Sequence, residues 1–363
     1  MSVITKTELD KDKQVYSNFI DSLRSTKTKD VYDKALKHFM KFHNIESHSL
    51  LLECQDIEEK IKQYILNIRS RELSTSFMTI FLSAIKTFYE MNDIENIRWR
   101  KLKRFMGEET PRHEDRKYTR EEILRLLNAS DLKQKVIILL MSSAGLRIGA
   151  LPTLLIKHLK KMNDVYKIDV YKGLKGKGQY YTFCSPECAT AIDNYLQYRE
   201  RCGEKINPDS PFLRKDFDSD FHESARNKVY LVTRNSISMS VFNLLIKTGI
   251  RIVDHVNSRR VRKDVKMTHG FRKFFETMLV NSNIHETIIR KLTGHSDRSN
   301  LTQLYSKQTE DEMLEEYMKA ADNLTINEEN RLRRKVEVLT IEKSKVDLAL
   351  GQIEEMKKRL RLA

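Results

Sequence analysis

Apolar residues in the first hundred positions recur at helical intervals. In VYSNFIDSLRS, Val15, Phe19 and Leu23 mark one face at a spacing of four. KDVYDKALKHFMKFHNI repeats the pattern through Val31, Ala35, Phe39 and Phe42. DIEEKIKQYILNIRSR and STSFMTIFLSAIKTFYEMN add two more amphipathic stretches, the second with Ser74 or Thr75 available as a cap. Four helices with short connections predict a compact bundle over residues 1–108. The pattern then breaks in MGEETPRHEDRKYTREE, where Gly107, Pro111 and dense alternating charge mark an exposed linker, placed at 109–117. Periodicity resumes in YTREEILRLLNAS, where Thr119 followed by Glu122 matches a capping box.

From 118 to 322 the chain again reads as mostly helical, with one exception. VYKIDVYKGLKGKGQYYTF alternates at Val165, Ile168 and Val170, passes a turn rich in Gly and Lys, and continues into YYTF. That pattern predicts a β-hairpin with a basic tip. The last segment, 323–363, differs in character. Leu332, Val336, Leu339, Lys343, Val346, Leu350, Ile353, Lys357 and Leu360 step by alternating four and three, which is heptad spacing with two lysines in the seam. Gly351 weakens the helix. A single long helix or a marginal coiled coil follows, with self-association favoured over a solvated appendage. The fold class expected is mainly α with a small β-sheet.

Composition narrows the function classes. Lys and Arg number 66 against 51 Asp and Glu, for a formal charge of +15, which points to an anionic partner, nucleic acid before membrane. The longest apolar run, Val136 to Met141, is far too short to cross a bilayer, and MSVITKTELDKDKQ lacks the apolar core of a signal peptide, so a cytoplasmic, nucleoid-associated protein is expected. Cys54, Cys184, Cys188 and Cys202 form no disulfide framework, and no Cys/His pair complements Cys184 and Cys188 at zinc spacing. All four read as reduced thiols.

Candidate chemistry lies in three short stretches and the hairpin. Arg147 in SSAGLRIGALP follows the end of a buried apolar segment; alone, such an arginine usually pairs with a carboxylate. In MTHGFRKFFETMLV, His269 and Arg272 stand at i and i+3 at a helix start, where the positive end of the helix favours a phosphate. Two guanidiniums at one site call for an anion, and planar forks suit the non-bridging oxygens of a phosphodiester. LTGHSDRSNLTQLYSK adds His295 after Gly294, then Tyr305, whose phenol can attack phosphorus when a base and nearby charge assist. Lys172, Lys175 and Lys177 at the hairpin tip compete to protonate a leaving 5′-hydroxyl, and spacing does not separate them.

Together AGLRIGAL, a hairpin lysine, THGFRKFF and LTGHSDRSNLTQLY resemble, in order, the diagnostic boxes of the tyrosine recombinases, the phage-integrase family. The likeness covers roughly residues 14–322, with VYKG and YYTF most similar to archaeal or archaeal-virus members. It implies an N-terminal core-binding domain, a catalytic domain, and phosphoryl transfer without metal or cofactor. Tyr305 would form a 3′-phosphotyrosyl intermediate, Arg147 and Arg272 would clamp the phosphate, and His295 would hydrogen-bond it. His269 would take or hold the tyrosine proton, and a hairpin lysine, with Lys175 chosen over Lys172, would protonate the leaving group. The implied partner is double-stranded DNA, engaged by a dimer on each site and a tetramer in synapsis, with no membrane. The same residue set also serves type IB topoisomerase-like nicking-closing enzymes, and a catalytically impaired DNA-binding relative is the third reading. Two departures stand out: Ala150 occupies the position of a usual Glu or Asp, and the gap from His295 to Tyr305 is one residue longer than in many bacterial members.

Overall fold

The computed structural model describes residues 6–71, 75–107, 115–215, 231–252, 264–295 and 308–361. The chain divides into two compact units, Met1–His113 and Glu114–Ala363. The expected linker lies at this boundary, and its residues 108–114 are outside the described set.

The first unit is helical. Its main elements are α1 (Lys6–Ser22), α2 (Thr26–Phe42), α4 (Ile57–Ser70) and α5 (Thr75–Glu90), the four helices expected from periodicity. Two short helices, α3 (His48–Glu53) and α6 (Trp99–Arg104), were not anticipated, because six residues are too few to show a period. On α2 the buried set is Ala35, Leu36, Phe39 and Met40, while Val31 and Phe42 are exposed. A residue advances roughly 100° around a helix, so the adjacent pairs 35/36 and 39/40 centre the buried face well round from Val31 and Phe42. Phe19, Leu36, Phe39, Ile61 and Phe88 close this core.

The second unit is mostly helical around a three-stranded antiparallel sheet in the order β1-β2-β3. Here α7 (Arg120–Ala129) begins at the expected capping box: Glu122 N–H donates to Thr119 Oγ1, and Thr119 N–H donates back to the Glu122 carboxylate. The apolar run forms α8 (Leu132–Ser143), buried on all sides from Val136 to Ser143. Strands β2 (Val165–Val170) and β3 (Tyr180–Phe183) make the expected hairpin, pairing Val170 with Tyr180 and Lys167 with Phe183. A further strand, β1 (Leu159–Met162), escaped prediction because its inner residues Lys160 and Lys161 are exposed and hide any alternation.

Helices α9 (Pro186–Arg201), α10 (Arg234–Lys247), α11 (His269–Asn281), α12 (Glu286–Thr293), α13 (Glu310–Met318) and α14 (Ala321–Leu324) complete the packed body. The heptad segment is one helix, α15 (Glu328–Arg361), whose Leu332, Leu339, Val346 and Ile353 are exposed. Arg334 anchors its base through Asp322 (3.4 Å) and Asp164 (3.9 Å). No helix among the described residues is long and apolar enough to cross a membrane. All four cysteines are free thiols, three of them buried.

Candidate active site

The site begins where α8 stops. Gly145 has φ +62°, the left-handed conformation that ends a helix, and a Cβ there would lie 2.3 Å from Phe275 Cδ1. The three successive carbonyls at this helix end are claimed by three different elements. Tyr317 Oη donates to Ser143 O (2.8 Å), Thr182 Oγ1 to Ala144 O (3.1 Å), and Arg272 Nη1 to Gly145 O (2.7 Å). Helix-end carbonyls without partners are costly to bury, so these bonds fix the chain just before Arg147.

Helix α11 carries two stripes. Phe271, Phe274, Phe275, Met278 and Leu279 face the core at i, i+3, i+4, i+7 and i+8. His269, Arg272 and Glu276, at i, i+3 and i+7, fall within about 60° of arc on another face. Close packing at the helix start holds that register: a Cβ on Gly270 would stand 2.5 Å from Val265 and 2.8 Å from Tyr118, whose hydroxyl donates to Met267 O at 2.9 Å.

Helix α12 ends in a Schellman motif that aims His295. Gly294 N–H donates to Lys291 O (3.1 Å) and His295 N–H to Arg290 O (3.0 Å), with Gly294 at φ +61°. A Cβ on Gly294 would meet Tyr180 at 2.4 Å, so the hairpin and this helix end are packed backbone to ring.

The pieces converge on one carbonyl. Thr293 O accepts from Arg147 Nη1 (3.1 Å) and from Arg272 Nη2 (2.6 Å), placing the two guanidiniums side by side. Arg272 Nη2 is also 3.2 Å from His295 Nε2. Since the guanidinium can only donate, Nε2 accepts, and Nδ1–H donates to Thr293 Oγ1 (3.1 Å), whose own proton goes to Ile289 O. His295 is therefore drawn as the neutral Nδ1–H tautomer. Burial, followed by Arg272, pushes its pKa down from 6.5, in keeping with that form. Burial and then Lys266, Arg272 and Arg147 likewise lower His269. Arg272 is buried, and burial followed by the Arg147 charge makes its cation less favourable than usual. A bound anion would relieve that cost. Among the described residues no carboxylate pairs with Arg147, contrary to the usual role of such an arginine.

A cavity of about 530 Å³ opens over these groups, lined by Arg147, His269, Arg272, Tyr171, Lys177 and Arg234, among others. Of the hairpin lysines, the residue that reaches this cavity is Lys177, stacked over the Tyr171 ring at 4.6 Å. Lys175, the choice made from sequence, sits exposed in the turn, and Lys172 is paired with Asp169 at 2.6 Å. Positive φ at Tyr171, Gly173 and Gly176 sets the path of this loop, a feature that spacing does not reveal. Ala150 is fully buried and presents no carboxylate. Tyr305 falls within 296–307, outside the described residues. Sequence reasoning missed Glu276, Tyr171, Tyr180 and Arg234; the i, i+4 spacing of Arg272 and Glu276 was the one readable signal.

The sequence model of the phage integrase family matches residues 116–312. Among curated relatives, tyrosine recombinase XerA of Pyrococcus horikoshii is 22% identical over 259 residues, covering 71% of this chain and 78% of its own. Tyrosine recombinase XerC of Leptospira interrogans is 24% identical over 315 residues, covering 83% of this chain and 89% of its own. The fold is shared with the Tn1549 transposon integrase solved with circular intermediate DNA (TM-score 0.57, 17% identity, 85% of this chain and 98% of that one). It is also shared with the lambda integrase tetramer bound to a Holliday junction (TM-score 0.55, 14% identity, 82% and 79%). With that match spanning more than half of its length, and with Arg147, His269 and Arg272 lining one cavity and His295 against Arg272 inside it, the chain belongs to the phage integrase family of tyrosine recombinases.

Proposed function

We propose that this protein is a site-specific DNA recombinase that cuts and rejoins strands through a 3′-phosphotyrosyl intermediate, needing neither metal nor high-energy cofactor. The observation that carries the reading is the pair of guanidiniums meeting on Thr293 O beneath a cationic cavity. Arg147 commits one N–H to that carbonyl, and the rest of its fork is turned to a phosphate. Two planar forks stabilise the charge that gathers on the non-bridging oxygens as phosphorus becomes five-coordinate. Tyr305 Oη forms the new bond to phosphorus, its proton passes to neutral His269, and the bond to the 5′-oxygen breaks. That oxygen leaves as a hydroxyl after taking a proton from a lysine. His295 donates to the phosphate after its Nε2 takes a proton from solvent and gives up the Arg272 contact. Attack by a 5′-hydroxyl of a second duplex reverses these steps and exchanges strands.

We assign the general acid to Lys177 rather than Lys175, because Lys177 lines the cavity. Lys177→Ala is expected to slow cleavage of an ordinary strand by about 10²–10⁴-fold, the usual worth of a positioned proton donor. A substrate with sulfur in place of the bridging 5′-oxygen, whose thiolate leaves without a proton, should restore the rate. Lys175→Ala should behave as wild type; the opposite pattern would return the role to Lys175.

The basic surface supplies sequence-independent affinity through counterion release. Assembly as dimers on each site and a tetramer in synapsis is part of the proposal, with α15 as a contact between copies. Sedimentation on DNA of a chain ending at Asn327 should show weaker self-association, and unchanged association would remove α15 from the assembly. The archaeal relatives and the VYKG and YYTF wording support placement near archaeal members. A duplex nicked beside the cleavage site should trap a covalent adduct that Tyr305→Phe abolishes. Strand exchange between two duplexes then supports the recombinase, whereas supercoil relaxation without exchange would mark a nicking-closing enzyme.

A further inference from the structure

Among the described residues, one acidic side chain bonds to the buried arginine of the site, and neither motif nor mechanism has used it. Glu276 Oε1 accepts from Arg272 Nε at 3.1 Å, one turn along α11. With Nη1 on Gly145 O and Nη2 on Thr293 O and against His295, this bond completes the set of anchors around a buried guanidinium. A guanidinium has five N–H groups in one plane, so three fixed edges leave no freedom to rotate and determine which N–H faces the cavity. The carboxylate itself is half-buried. Position 150 offers only a buried methyl group.

We propose that Glu276 is the positioning residue of this site, locking Arg272 from its Nε edge so that the remaining Nη1–H addresses the scissile phosphate. The proposal rests on the recombinase reading above. Its charge also acts on both histidines. His269 is faced by Lys266, Arg272 and Arg147 as well as Glu276, and His295 by Arg272, Arg147 and Arg290 as well as Glu276. In each case Glu276 is the group that favours the imidazolium while burial and the cations oppose it. One carboxylate thus fixes the phosphate clamp and tempers the positive field around the proton carriers.

The test is covalent-adduct formation on the nicked duplex across pH, with DNA affinity measured separately at fixed salt, for wild type, Glu276→Gln and Glu276→Ala. Both changes sit on a half-buried helical face and leave the core stripe intact. The plateau rate should fall by about 10–100-fold, the usual consequence of loosening a reacting-group contact, with Ala losing more than Gln. DNA affinity should be equal or tighter, since a negative charge beside a phosphate site is gone. The acid limb should move to lower pH, because removing the anion lowers His269, the proton acceptor, further. A Glu276→Gln plateau equal to wild type overturns the proposal, as does a fall in rate matched by a fall in affinity with the acid limb unmoved. If wild type itself forms no adduct, the recombinase reading fails instead.

Discussion

Arg272→Lys should reduce covalent-adduct formation by about 10²–10³-fold, the scale seen when one donor to a transition-state oxyanion is lost. A lysine keeps the charge but presents a single ammonium point. It cannot reach Gly145 O, Thr293 O and Glu276 together as the planar fork does. Gly145 O would then be left without its donor in a buried place, while Thr293 O keeps only Arg147, so the variant should also melt lower than wild type. DNA affinity should change little, because many surface cations share that task. Adduct kinetics alongside filter binding check both halves. Equal losses of rate and affinity would mean that Arg272 only holds DNA.

Arg199→Ala should destabilise the second unit by about 3–5 kcal/mol, the scale for removing one partner from a buried ion pair, since Glu204 keeps only Arg214 and two backbone carbonyls lose their donor. Arg199 is fully buried and binds Glu204 through Nε (2.9 Å) and Nη2 (2.5 Å). Its Nη1 donates to Phe212 O (2.7 Å) and Pro211 O (3.1 Å), while Arg214 shares the Glu204 carboxylate at 2.9 Å. The cluster ties the end of α9 to the segment that pairs with Leu154 and Ile156, just beyond the cavity-lining Pro152. Burial would raise the Glu204 carboxyl, but hydrogen bonds from Arg199 and Arg214 outweigh it and hold the group below its usual range. A carboxyl lowered in the folded state contributes stability that is complete above the unfolded value of about 4.3. That contribution is lost as pH falls through the lower folded value. Wild type should therefore lose stability on that acid limb, and Arg199→Ala should show less of it. Denaturant titrations from neutral pH to pH 3 read both effects; an unchanged midpoint at neutral pH would show that the cluster contributes nothing net.

Much of the site was legible because its residues travel in short boxes. Arg147 follows a helix-ending Gly145, His269 and Arg272 share a helix face, and His295 follows a left-handed Gly294; each is a local relation that spacing can carry. Their meeting on Thr293 O is not local, since it joins residues 146 and 21 positions apart. Lys177 and Lys175 differ by the path of a glycine-rich loop, which composition leaves open. Glu276 was readable only as an i, i+4 partner, a relation most often found on solvated faces. In the fold, long periodic helices and the β2–β3 hairpin were clear. Strand β1 was hidden by its exposed lysines, and the true face of α2 was hidden by a spacing of four that skirts the edge of the buried arc.

The tyrosines near the site differ in what they can do. Tyr317 is fully buried, donates to Ser143 O, and is pushed well above its ordinary pKa by burial. Tyr180 packs under Gly294, and burial raises it despite Arg272 and Arg147 nearby. Tyr171 lines the cavity beneath Lys177. The most direct measurement is to trap the adduct on a nicked duplex, digest protein and DNA, and locate the nucleotide by mass spectrometry. The account predicts a 3′-phosphonucleotide on the peptide that contains Tyr305. A nucleotide on Tyr171, Tyr180 or any side chain other than Tyr305, or one attached through its 5′ end, would contradict it.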